Sequence, residues 1–206
     1  MISYSLIGGK IDSDSLKKML NYSYKFNNKD DTNINGYKID KELSGRRTQV
    51  YKNDDKNHVI IAHRGTQDIH DVFTDLKLGL MGSRNNARFN HSKYITDKAH
   101  KKYGDDAVYT QIGHSLGAEI ANNSGDGYND EVVTFNKAEV TPFEKQKDNE
   151  YHIRTSLDPI SALLPYRFYG DNKNNNITIN SKTNDLLQEH SLDSLDLSQL
   201  PNEIGK

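Results

Sequence analysis

Gly113, His114, Ser115, Leu116 and Gly117 constrain this chain more than any other five residues. A β-rich run, Ala107 to Ile112, precedes them, and a helical pattern, Leu116 to Asn122, follows. A G-x-S-x-G at such a junction is the pattern of a nucleophile elbow. There the serine is forced into a strained backbone, and the flanking glycines leave room for segments that pass close by. An elbow needs a strand and then a helix, so the chain is expected to build a parallel sheet with helices packed on it.

The remaining pattern agrees. Thr48 to Lys52 and His58 to His63 read as two strands joined by a tight turn at Asn53 to Lys56. Glu131 to Phe135 and Tyr151 to Thr155 read as further strands, and Ile177 to Ile179 as an edge strand. Leu16, Met19 and Leu20 share one face of a first helix, with cap candidates Ser13, Asp14 and Ser15 before them. Asn27 to Asn35 reads as a loop. A helix over Ala87 to Tyr103 turns Phe89, Tyr94, Ile95 and Ala99 inward and stops at Gly104, and a last helix is expected over Leu192 to Leu200. Ile69, Val72, Phe73 and Leu76 form a narrow apolar stripe on another amphipathic helix.

Composition narrows the function. Only 33% of the 206 residues are hydrophobic, against roughly 45–50% in ordinary globular domains, so the core must be economical. The net charge of −2 and the scattered Lys and Arg offer no basic stripe for phosphate backbones, which argues against nucleic acid as a partner. No apolar run approaches the ~20 residues of a membrane span. Met1 to Asp14 lacks the basic start and apolar core of a signal peptide, so the expectation is a soluble, unexported chain. With no cysteine, disulfides, thiolate metal sites and Cys nucleophiles are excluded. His63, Asp68, His70, Asp71 and Asp75 match no known ligand spacing, so neither metal nor cofactor is expected.

A serine hydroxyl is a poor nucleophile unless a histidine takes its proton and a carboxylate holds that histidine. In the hydrolase order of serine, acid, histidine, the acid follows a later strand, and Asp158 comes directly after Tyr151 to Thr155. Asp158 also stands before Pro159, where it could cap a helix. Two histidines follow Ser115. His152 lies inside a strand pattern, which leaves His190, expected on a loop before the last helix, as the base.

Taken together, His63-Arg64-Gly65-Thr66, the Gly113 to Gly117 elbow, Asp158-Pro159 and His190 resemble the class 3, fungal-type lipase family over about Val59 to His190. The resemblance implies an α/β-hydrolase fold, with a central, mostly parallel sheet flanked by helices. It implies oxyanion donors at the backbone of Thr66 and Leu116 and a lid carrying Ile69, Val72, Phe73 and Leu76. It also implies a carboxylic ester substrate, a triacylglycerol or a phospholipid, and transient contact with a lipid interface. Departures are His63 for the usual Phe, Ala118 for a second Gly, and shorter spacings from Ser115 to Asp158 to His190. The Asn-, Lys- and Asp-rich composition is similar to compact lipase-like proteins of large DNA viruses, which points to a cytoplasmic or virion-associated chain.

The expected organisation is one lipase-like domain over 1–206, with a helix and loop extension over 1–47 and a catalytic core over 48–200. The competing class is a lipase-fold protein with a structural or binding role. The two differ in whether His190 reaches Ser115 within hydrogen-bond distance.

Overall fold

In the computed structural model, residues 10–66, 87–138, 146–162 and 175–205 are described, and an eight-stranded sheet organises them. The expected lid residues Ile69, Val72, Phe73 and Leu76 lie outside this set. The strands are β2 (Asn33–Ile34), β3 (Tyr37–Ile39), β4 (Thr48–Asn53), β5 (His58–His63), β6 (Val108–His114), β7 (Glu131–Phe135), β8 (Glu150–Thr155) and β9 (Asn176–Ile179). They lie side by side in chain order, antiparallel from β2 to β5 and parallel from β5 to β9. The mostly parallel sheet expected from the sequence is therefore present, with β9 at its edge.

Both faces are covered, as parallel sheets require. Helix α1 (Ser13–Lys25) packs on one face, where Leu16, Met19 and Leu20 join Ile60, Ile112, Val133, Phe135 and Ile153 in the larger core. Each such buried side chain contributes about 1.5–3 kcal/mol. Helices α2 (Ala87–Tyr103) and α3 (Leu116–Gly125) lie against each other, α2 packing on β4 and β5 and α3 on β5, β6 and β7. There Ile95 and Ala99 meet Val50, Val59 and Ile61. Short helices α4 (Pro159–Ala162) and α5 (Leu186–His190) follow β8 and β9.

Several details differ from the sequence reading. The cap of α1 is Asp12, whose carboxylate accepts the Ser15 N–H at 2.7 Å. Tyr94 is exposed beneath the Lys98 ammonium, 5.4 Å from its ring, because it falls on the solvent side of α2. The end of the Asn27 to Asn35 loop is a strand, β2. The expected last helix is two single 3₁₀ turns, Leu192–Ser194 and Leu197–Gln199, because Leu192 and Leu195 are drawn into the core while Asp196 caps the second turn. Two further strands, β1 (Ile11–Asp12) and β10 (Glu203–Ile204), pair antiparallel and bring the two ends of the described chain together. Among the described residues no helix is long and apolar enough to cross a membrane, and no cluster of three His, Asp or Glu could hold a metal.

Candidate active site

The site forms where β5, β6 and β8 run out at their C-terminal ends, the edge at which open parallel sheets place their ligands. Ser115 follows β6 with φ 58° and ψ −129°, a conformation that L residues adopt only under constraint. The turn is tight enough that a Cβ on Gly113 would collide with the Gly117 carbonyl, and one on Gly117 with the His63 carbonyl. The Ser115 N–H donates to the Phe135 carbonyl at 3.2 Å, and its own carbonyl accepts from Ala118 and Ala138. Strand, turn and helix thus fix the hydroxyl from three sides.

His190 Nε2 lies 2.9 Å from Ser115 Oγ, and His190 Nδ1 lies 2.7 Å from Asp158 Oδ1. The His190 to Ser115 separation, on which the two sequence readings differ, is within hydrogen-bond reach. Nδ1 faces a carboxylate and so carries the proton, which leaves Nε2 to accept from the Ser115 hydroxyl. All three side chains are buried. Burial works to raise the Asp158 carboxyl, but the His190 hydrogen bond and charge and the Ser161 contacts outweigh it and hold the carboxyl below its ordinary value. Asp158 also accepts the Ser161 N–H at 2.9 Å at the start of α4, so it faces the histidine and caps the helix at once.

His190 is the last residue of α5 rather than a loop residue, and its backbone is tightly held. The Glu189 carbonyl accepts from Asn136, Thr155 and Ser194 at 2.7, 3.0 and 2.8 Å. The His190 carbonyl accepts from His114 Nε2 at 2.7 Å. His114 Nδ1 in turn accepts from the Tyr24 hydroxyl at 2.8 Å. Burial, and then the neighbouring His190 charge, push His114 down to about 3, so it stays neutral with its proton on Nε2. Tyr24, raised chiefly by burial, keeps its proton, and its hydroxyl lies against Gly65.

Thr66 and Leu116 flank Ser115. Leu116 opens α3, where the first N–H groups of a helix have no intrahelical acceptor. Thr66 lines, with Ser115, His114 and His190, a cavity of about 320 Å³ whose other walls include Tyr24, Leu187 and Leu192, and whose mouth carries Lys25 and Asp193. His63 does not line it. It is buried with Nε2 2.7 Å from Gln111 Oε1 and is pushed down to about 4, mainly by burial. The replacement of the family's phenylalanine therefore touches the core beneath the elbow. Tyr24 and Asn136 escape a sequence reading, because neither sits in a motif and each meets the site only through the fold.

Solved structures similar to this chain include Lip2 lipase from Yarrowia lipolytica and Rhizomucor miehei lipase in its propeptide complex. The first is 16% identical, with 80% of each chain covered and a TM-score of 0.49. The second is also 16% identical, with 76% of this chain and 64% of that chain covered and a TM-score of 0.50. No curated protein sequence matches. A family model, phospholipase-like with a Tle-like phospholipase domain, matches residues 13–192. With that match over an α/β-hydrolase lipase fold, the chain belongs to the Tle-like phospholipase family.

Proposed function

We propose that this protein is a serine hydrolase that cleaves carboxylic esters of phospholipids. The observation that carries the reading is the chain Ser115 Oγ, His190 Nε2, His190 Nδ1, Asp158 Oδ1, with links of 2.9 and 2.7 Å beneath a cavity.

Ser115 Oγ bonds to the ester carbonyl carbon as its proton passes to His190 Nε2, and the carbonyl π pair moves onto oxygen, where the Thr66 and Leu116 N–H groups receive it. The pair returns, the carbon–oxygen bond to the glycerol breaks, and the leaving oxygen takes the proton from His190. Water then attacks the acyl-enzyme and gives a proton to His190, which passes it to Ser115 Oγ as the bond from that oxygen to the acyl carbon breaks and the fatty acid leaves. Asp158 stays ionised throughout and stabilises the imidazolium that forms in each half.

The family supports a phospholipid rather than a neutral ester, and the cavity mouth is compatible with one. Lys25 is exposed there and could meet a phosphate, while Leu187 and Leu192 offer apolar wall to an acyl chain. A fluorophosphonate probe and release of fatty acid from phospholipid vesicles test the proposal. Wild-type protein is expected to be labelled and to release fatty acid, and Ser115→Ala and His190→Ala to do neither. Folded wild-type protein that takes no label and releases nothing overturns it.

A further inference from the structure

The two oxyanion donors assigned above are held in different ways. Leu116 belongs to a helix of ten residues. Thr66 is the third residue after β5, and the described contacts that set the orientation of the Gly65–Thr66 peptide are made at Gly65. The Thr66 N–H belongs to the same planar unit as the Gly65 carbonyl. The described chain has no cis peptide, and in a trans peptide the carbonyl and the N–H point in opposite directions. Whatever holds the carbonyl therefore aims the donor.

Arg88, in the first turn of α2, reaches that carbonyl. Its Nη2 donates to the Arg64 carbonyl at 2.6 Å and to the Gly65 carbonyl at 3.2 Å. The other side of Gly65 is bounded as well, by the Tyr24 hydroxyl. The fit leaves no slack. A Cβ on Gly65 would collide with that hydroxyl and stand 2.6 Å from the His114 carbonyl and 3.2 Å from Ser115 Cβ. Arg47 and Arg64 lie near enough to act on Arg88, whose pKa is lowered first by its burial and then by these two charges, so positive charge gathers behind the peptide.

We propose that Arg88 is a positioning residue for the oxyanion hole, turning the Gly65 carbonyl away from Ser115 so that the Thr66 N–H faces the reacting carbonyl oxygen. A guanidinium on the carbonyl also polarises the peptide and strengthens its N–H as a donor. Both effects grow with the charge on the oxygen, so they act on the transition state rather than on the bound substrate. This inference rests on Ser115 being the nucleophile. It adds a residue 27 positions before Ser115 that touches neither substrate nor triad.

The experiment uses Arg88→Ala and Arg88→Met, the second keeping an apolar stem for packing, with p-nitrophenyl butyrate as a soluble ester and an alkyl boronic acid as tetrahedral analogue. Removing a whole oxyanion donor costs about 10²–10³ in kcat, and a misaimed donor is expected to cost roughly 10- to 100-fold with KM nearly unchanged. Affinity for the boronic acid should fall in parallel, and millimolar guanidinium should restore part of the activity of Arg88→Ala but not of Arg88→Met, whose side chain fills the space. A folded variant with unchanged kcat overturns the inference alone, as does a kcat loss with undiminished boronic acid affinity. Wild-type protein that neither turns over the ester nor binds the boronic acid overturns the Ser115 reading and the inference with it.

Discussion

Two buried histidines follow Ser115, each beside a carboxylate, and they differ in where the fold places them. His190 ends a short helix at the rim of the sheet, with one nitrogen on Asp158 and the other on the Ser115 hydroxyl. His152 lies within β8, with Nδ1 2.6 Å from Thr134 Oγ1 and Nε2 3.6 Å from Glu150. It lines a separate, smaller cavity of about 160 Å³ with Lys137 and Arg154. Burial holds His152 below its ordinary value despite the neighbouring Glu150 carboxylate. A histidine and a carboxylate in contact are thus common currency inside a protein. Each ring meets a hydroxyl and a cavity, so the difference lies in position: His190 stands beyond the strand ends against the strained Ser115 of the elbow, and His152 inside a strand.

The largest expected effect breaks that contrast directly. His190→Ala should lower kcat by about 10⁴–10⁶-fold, the range found when a triad base is removed. His152→Ala should leave kcat within about threefold, and its cost should appear in urea unfolding as about 1–3 kcal/mol for the polar groups left behind. Similar kcat losses in both would show that the two sites are not independent.

The acids should separate in the same way. Asp158→Asn is expected to cost about 10⁴-fold in kcat, because the amide favours the wrong histidine tautomer. Its oxygen can still cap α4, so unfolding should change little. Glu150→Gln should spare the rate. Steady-state kinetics paired with thermal unfolding distinguishes the two patterns.

Acid sharpens the comparison through stability. Burial, the main cause in each case, pushes His58 and His63 down to about 4 and His114 to about 3 from an ordinary 6.5. The unfolded chain therefore binds more protons as pH falls below about 6.5, and the stability these groups contribute is lost between that value and their folded pKa values. At pH 5 each contributes a loss of about 2 kcal/mol. Asp158, lowered from 3.8, adds to the loss only below that range. Urea midpoints measured from pH 7 to pH 4.5 should fall steadily. A flat profile would show that these histidines are not held neutral in the folded protein.

The smallest effect is expected at the cavity mouth. Lys25→Glu should raise the apparent KM for anionic phospholipid vesicles about two- to fivefold, corresponding to about 0.4–1 kcal/mol for an exposed charge, and leave p-nitrophenyl butyrate unaffected. The difference should shrink in high salt.

Much of this fold is legible in sequence because local chemistry dictates it. Apolar runs of β-branched residues give β5 and β7, Gly104 ends α2 with φ 77°, and two glycines permit the elbow. The alternation of strand and helix then leaves few topologies. What local chemistry does not dictate stays hidden. Tyr24 and Arg88 look like ordinary helix residues, and only the packing of α1 and α2 on opposite faces of the sheet brings both to Gly65. Strands β1 and β10 are two residues each and pair across almost the whole chain, which no window of sequence can register. The 3₁₀ turns after His190 mislead for a related reason, because their leucines follow the demands of a distant core rather than a helical period.

That pairing of distant ends sets an order of assembly. Ile11 meets Ile204, and the Ser13 hydroxyl donates to the Pro201 carbonyl across 188 positions. Helix α1, which begins at this junction, carries Tyr24 into the cavity wall. Contacts of such separation pay their loop-closure entropy late and form slowly. A chain emerging from the ribosome can have its elbow, and even its histidine, in place while the wall that frames them is still unfastened. The wall that carries Tyr24 is therefore framed only once Glu203 and Ile204 have met Asp12 and Ile11.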